Sequence, residues 1–71
     1  MKTTKRERFK RLATIRTNAV LKRLKILSHC SNRHAYEYTE DEVKKIFSSI
    51  DEQLRLARAK FHFPKESDFK L

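Results

Sequence analysis

The chain has no glycine, no tryptophan, one proline and one cysteine in 71 residues. A single cysteine excludes an internal disulfide. Without glycine there is no phosphate-cradling loop. The same shortage removes the tight turns that a β-meander needs, and the composition suits long helices. No apolar run approaches the roughly 20 residues that cross a bilayer. The basic stretch 1–11 is followed by no apolar run of the signal-peptide type. The expectation is therefore a cytoplasmic protein that does not engage membranes. One domain is the count this length supports. A chain so short buries little surface by itself and leans on a metal or a partner.

Charge is abundant and unevenly placed. Eighteen Lys and Arg stand against nine Asp and Glu, a formal net charge of +9. Residues 1–34 hold eleven bases and one acid, Glu7, whereas residues 35–71 hold seven bases and eight acids. The whole cationic excess therefore sits in the first half.

That half reads as a helix over about 4–27. Phe9, Leu12, Ala13, Ala19, Val20, Leu24 and Leu27 share one helical face. Thr3 or Thr4 can cap its start. Lys10, Arg11, Lys22 and Lys25 point away from the apolar face, with Asn18 between them. Arg16 and Arg23 fall within or beside it, seven residues apart. Either their stems lie along a core edge while their heads reach water or the acids of a second helix, or they grip an acidic ligand.

The second helix is predicted over about 40–62. Thr39 followed by Glu42 is a capping box ahead of an apolar series. Val43, Ile46, Phe47, Ile50, Leu54, Ala57 and Phe61 then step by 3, 1, 3, 4, 3 and 4, close to a heptad seam. Glu40, Asp41 and Glu42 at its start, with Arg55, Arg58 and Lys60 near its end, complement the helix dipole. Pro64 is expected to stop it. Residues 64–71 then form a tail, with Phe63 or Phe69 as a pin. In the connector, 28–38, Asn32 is the best candidate for a left-handed residue closing the first helix. Residues 36–38 alternate as a short extended stretch would. Tyr38 is placed to staple onto Val43.

The expected fold is all-α: an antiparallel two-helix hairpin within residues 1–63, completed by dimerisation into a four-helix bundle or by docking on a partner. A first helix broken near residues 14–17, giving three short helices around their own core, is the other arrangement.

Little in the chain suggests catalysis. His29, Cys30 and His34 are the one cluster resembling a metal site, and they lack the four ligands zinc normally takes. They read instead as connector residues. Cys30 with a neighbouring His has no oxyanion-hole signature beside it. The acids 40–42 explain themselves as helix-start residues. No enzyme activity, metal or cofactor is expected.

The basic first helix is the informative feature. It is either a solvated face that keeps the chain soluble or a contact surface for nucleic-acid phosphates. Lys2, Lys5, Arg6, Arg8, Lys10 and Arg11 crowd its first turns and repel one another. A polyanion relieves that repulsion and releases counterions. The candidate nucleic-acid contacts, to DNA or RNA, are Lys5, Arg6, Arg8, Lys10, Arg11, Lys22, Lys25 and, in the connector, Arg33. The alternative is a protein-binding inhibitor or adaptor that docks on a larger protein partner through Val43, Phe47, Ile50, Leu54 and Phe61. A homodimer is compatible with either.

The residues Asn32, Arg33, Tyr36, Glu37, Tyr38, Thr39, Val43, Lys45, Ile46, Phe47 and Ile50 form a pattern that resembles small, mostly uncharacterised helical proteins of phages and other mobile elements. The resemblance spans about residues 12–61. It implies a compact helical accessory protein and brings no activity with it.

Overall fold

The computed structural model describes residues 3–63 of the chain. It is all-helical over that range, with no strand among the described residues. The order is α1 (Lys5–Ser28), a single 3-10 turn (His29–Ser31) and α2 (Glu40–Lys60). The chain divides between Glu37 and Tyr38 into two units, one carrying α1 and one carrying α2.

α1 is one continuous helix of 24 residues, so the break considered near 14–17 does not occur. Thr4 caps it from an extended backbone, its hydroxyl accepting the Glu7 N–H at 3.1 Å. Thr14, inside the suspected break, donates its hydroxyl to the Lys10 carbonyl and leaves the helical ladder intact.

The end of α1 differs from expectation. Asn32 is not left-handed: its φ is −67° and its ψ 104°, and no described residue has positive φ. Instead the helix tightens into the 3-10 turn, with the His29 N–H reaching the carbonyls of Ile26 and Leu27. Asn32 then organises the connector with its side chain. Its Oδ1 accepts the His34 N–H at 3.0 Å, and its carbonyl accepts the N–H groups of Ala35 and Tyr36 at 3.2 and 2.9 Å. The amide stands in for a backbone carbonyl, so the turn needs no left-handed residue. The extended stretch expected over 36–38 takes no regular secondary structure.

α2 opens on a complete capping box. The Thr39 hydroxyl accepts the Glu42 N–H at 3.2 Å, and Glu42 Oε1 accepts the Thr39 N–H at 2.8 Å. Tyr38 and Val43 are both half-buried. α2 ends at Lys60, two residues before the expected boundary, because the Phe61 N–H turns back to the Arg58 carbonyl at 3.1 Å. Phe63 is 83% exposed. Lys2, Pro64, Phe69 and the expected tail lie outside the described residues.

No described side chain is buried. Leu12, Ala13 and Leu27 of the first unit, and Tyr38, Val43 and Ile50 of the second, are the half-covered ones.

The capping box sets a stability prediction. The Thr39 backbone and side-chain hydrogen bonds hold the Glu42 carboxyl below its ordinary value of 4.5. The charged form is therefore the stabilising one: its contribution is complete above that value and is lost as pH falls through the lowered one. Thr39→Ala is expected to cost α2 about 1 kcal/mol of stability, read by circular dichroism during thermal melting. Helicity of the native chain should fall on acidification below pH 4.5, and Glu42→Gln should flatten that loss.

Candidate nucleic-acid interface

α1 presents nine cationic side chains and one acid, Glu7, along its length. Helical spacing sorts the predicted contacts into two groups. Arg11, Lys22 and Lys25, with Asn18 among them, fall within an arc of about 60°. Arg8 and Lys10 flank this row, one on either side. The row from Arg11 to Lys25 is about 21 Å long, or about six nucleotide steps along one strand at 3.4 Å each. Lys5 and Arg6 fall on the other half of the helix, which they share with Phe9. The eight predicted residues therefore do not make one patch. Five of them line one half of α1, two stand at its opposite edge, and Arg33 lies in the connector turn over residues 33–35. All eight are exposed.

Electrostatics separates the two helices sharply. Among the described residues, none of Lys5, Arg6, Arg8, Lys10, Arg11, Lys22 or Lys25 is in an ion pair. Lys5, Arg6 and Arg8 lie at the positive end of the helix dipole, where a cation is unfavourable. α2 has the reverse arrangement, with Glu40, Asp41 and Glu42 in its first turn and Arg58 and Lys60 in its last. It also carries an internal ion pair, Arg55 to Glu52 at 2.6 Å, which lowers the glutamate's pKa and raises the arginine's.

The apolar face of α1 is less clean than its sequence stripe suggests. Arg16 and Arg23 stand in the middle of it and are exposed. Neither is ion-paired among the described residues. Three large apolar residues that the stripe omits, Ile15, Leu21 and Ile26, lie on the cationic half and are 58%, 53% and 44% exposed. Helical spacing alone places them there, on the side away from the stripe. An open groove lined by Asn18, Leu21, Lys22, Leu24, Lys25 and Ser28 runs along this half. Walled by one helix alone, it is a surface furrow with two lysines on its rim.

Around the connector, Cys30 is exposed and in no disulfide. No group of three or more His, Cys, Asp or Glu among the described residues is placed to hold a metal ion. No described helix is long and apolar enough to cross a membrane. No family model, curated protein or solved structure matches the chain.

The unpaired cations of α1 are expected to cost it helicity. Raising ionic strength from about 0.01 M to about 0.15 M shortens the screening length from about 30 Å to about 8 Å. Helix content should rise over that range, with the amide chemical-shift changes confined to the first three turns of α1. A helix content indifferent to salt would show that the cations do not strain it.

Proposed function

We propose that the protein is a small, non-enzymatic nucleic-acid-binding accessory protein that holds phosphates along α1. The observation that carries this reading is the row Arg11, Lys22 and Lys25, flanked by Arg8 and Lys10, exposed and without an ion pair among the described residues. A face that served only to keep the chain soluble would mix both signs. The one acid of this face is Glu7, on the same arc in the first turn of α1, and from Arg8 to Lys25 its charges are cations alone, continuing from a helix start already unfavourable for cations. A phosphate backbone supplies the missing negative charge in a linear array, and counterion release supplies the free energy.

In this reading the two helices fold back as an antiparallel hairpin, and two hairpins close a four-helix bundle through their apolar faces. The bundle leaves the cationic row of each α1 turned to solvent. Lys5 and Arg6 then sit at the bundle's end and add a general attraction. Arg33 reaches the same ligand from the connector. Recognition is of the backbone and not of base edges, so DNA and RNA are both ligands.

Five phosphate contacts give log affinity against log salt a slope of about −4.5 on duplex DNA. Lys22→Glu with Lys25→Glu should weaken binding about tenfold or more at low salt and flatten the slope by about 2. Lys44→Glu with Lys45→Glu on α2 changes the net charge equally and should leave most of the binding. Fluorescence anisotropy with a labelled duplex, titrated at several salt concentrations, reads both. Equal losses from the two variants would show that net charge, and not the α1 row, is responsible.

A further inference from the structure

α2 carries a second surface that the cationic row does not use. Its apolar stripe contains no charged residue, and Phe47, Leu54 and Phe61 on it are 50%, 45% and 63% exposed. We propose that this stripe is the seam of a homodimer in which α2 of one copy lies antiparallel on α2 of another, with Val43 opposite Phe61 of the partner copy. The inference rests on the pairing part of the function proposed above and adds the orientation, the register and the residues that select them.

Two independent features of α2 favour antiparallel pairing. The first is charge. Glu40, Asp41 and Glu42 occupy one end of the helix and Arg58 and Lys60 the other. Parallel pairing brings the two acidic ends together and the two basic ends together. Antiparallel pairing sets each acidic end against a basic one, and like charges across an interface penalise the wrong partner. Glu42 and Lys60 lie on the same flank of the stripe by helical spacing, as residues that meet across an antiparallel seam must. The capping box engages Glu42 through Oε1, so Oε2 is the oxygen presented to Lys60.

The second feature is shape. Antiparallel pairing about a two-fold axis near residue 52 sets Val43 against Phe61, Phe47 against Ala57 and Ile50 against Leu54. Every member of each pair belongs to the stripe. Phe47 meets the smallest residue of the series and Phe61 meets a valine, so the bulky rings alternate with small side chains along the seam. The same register leaves Glu42 and Lys60 offset by about 3 Å along the axis, within reach of a lysine side chain. The Arg55–Glu52 ion pair lies on the opposite face and is not disturbed. In a four-helix bundle each helix has two neighbours, so this seam and hairpin packing occur together.

Residues 42 and 60 are about 27 Å apart along one helix and cannot meet within a chain. A charge-swap cycle is therefore decisive. Glu42→Lys and Lys60→Glu should each weaken dimerisation about tenfold, and the double variant should recover most of the loss. Both substitutions also oppose the helix dipole, and Glu42→Lys removes half of the capping box. Those intrachain effects add, so without pairing the double variant would be the worst of the three. The dimer dissociation constant is read by sedimentation equilibrium, with circular dichroism to confirm helix content. If a variant loses its helix, the seam is read instead by cross-linking in a Cys30→Ser background. A Val43→Cys chain mixed with a Phe61→Cys chain should give the mixed disulfide in excess. Self-linked Val43→Cys pairs, a double variant without recovery or a monomer at every concentration overturns the proposal. Of these, only the monomer also removes the pairing from the function proposed above, and the phosphate row is tested separately by the α1 charge reversals.

Discussion

Local hydrogen bonding is what both helices depend on. Each is opened by a threonine whose hydroxyl accepts an N–H three residues on, Thr4 from Glu7 and Thr39 from Glu42. Each is closed by backbone bonds that tighten its last turn. No described side chain is buried to add a core term. Helices of 24 and 21 residues exceed the length at which isolated helices become marginal in water, but most helical stability in proteins comes from packing an apolar face. The molecule therefore has well-specified helix boundaries and an apolar area still in search of a covering.

The two helices meet this constraint differently. α2 is consistent at every level: cap, dipole charges, i to i+3 ion pair and an uninterrupted apolar stripe all support the same helix. α1 is in conflict with itself. Its first turns bring cations to the positive pole of its dipole, and Arg16 and Arg23 interrupt its apolar face. Ile15, Leu21 and Ile26 put apolar surface among the cations. Conflicts of this kind are characteristic of functional surfaces, where stability is given up for binding. α1 is accordingly the better candidate for ligand contact and α2 for assembly.

Sequence reasoning succeeded where the determinants were close together in the chain. The Thr39–Glu42 box, the Thr4 cap and the extents of both helices follow from residues within one turn of each boundary. It failed at Asn32 for a specific reason. A helix can end through a left-handed residue or through a tightened turn, and asparagine serves both, in the second case by lending its side-chain carbonyl to the His34 N–H. Composition alone does not choose between them. The candidate site was half legible. Charge counting found the cations, but only helical spacing separates the row of Arg11, Lys22 and Lys25 from Lys5 and Arg6. Which apolar face covers which is set by non-local surfaces, and no local rule of capping or periodicity decides it.

The two proposed surfaces gain from being on different helices. A single cationic row about 21 Å long offers few phosphate contacts, and each is screened by salt. The proposed self-pairing through α2 would present two such rows on one particle, and the second would engage at the effective concentration set by the first. Dimerisation would then raise affinity for a long polyanion without any new contact. A long polyanion, by bringing copies together, would in turn favour the dimer. Under the two proposals, binding and pairing would in this way be thermodynamically linked. On these two proposals, a chain none of whose described side chains is buried would cover its apolar area and balance its charge only with its ligand and its second copy both present.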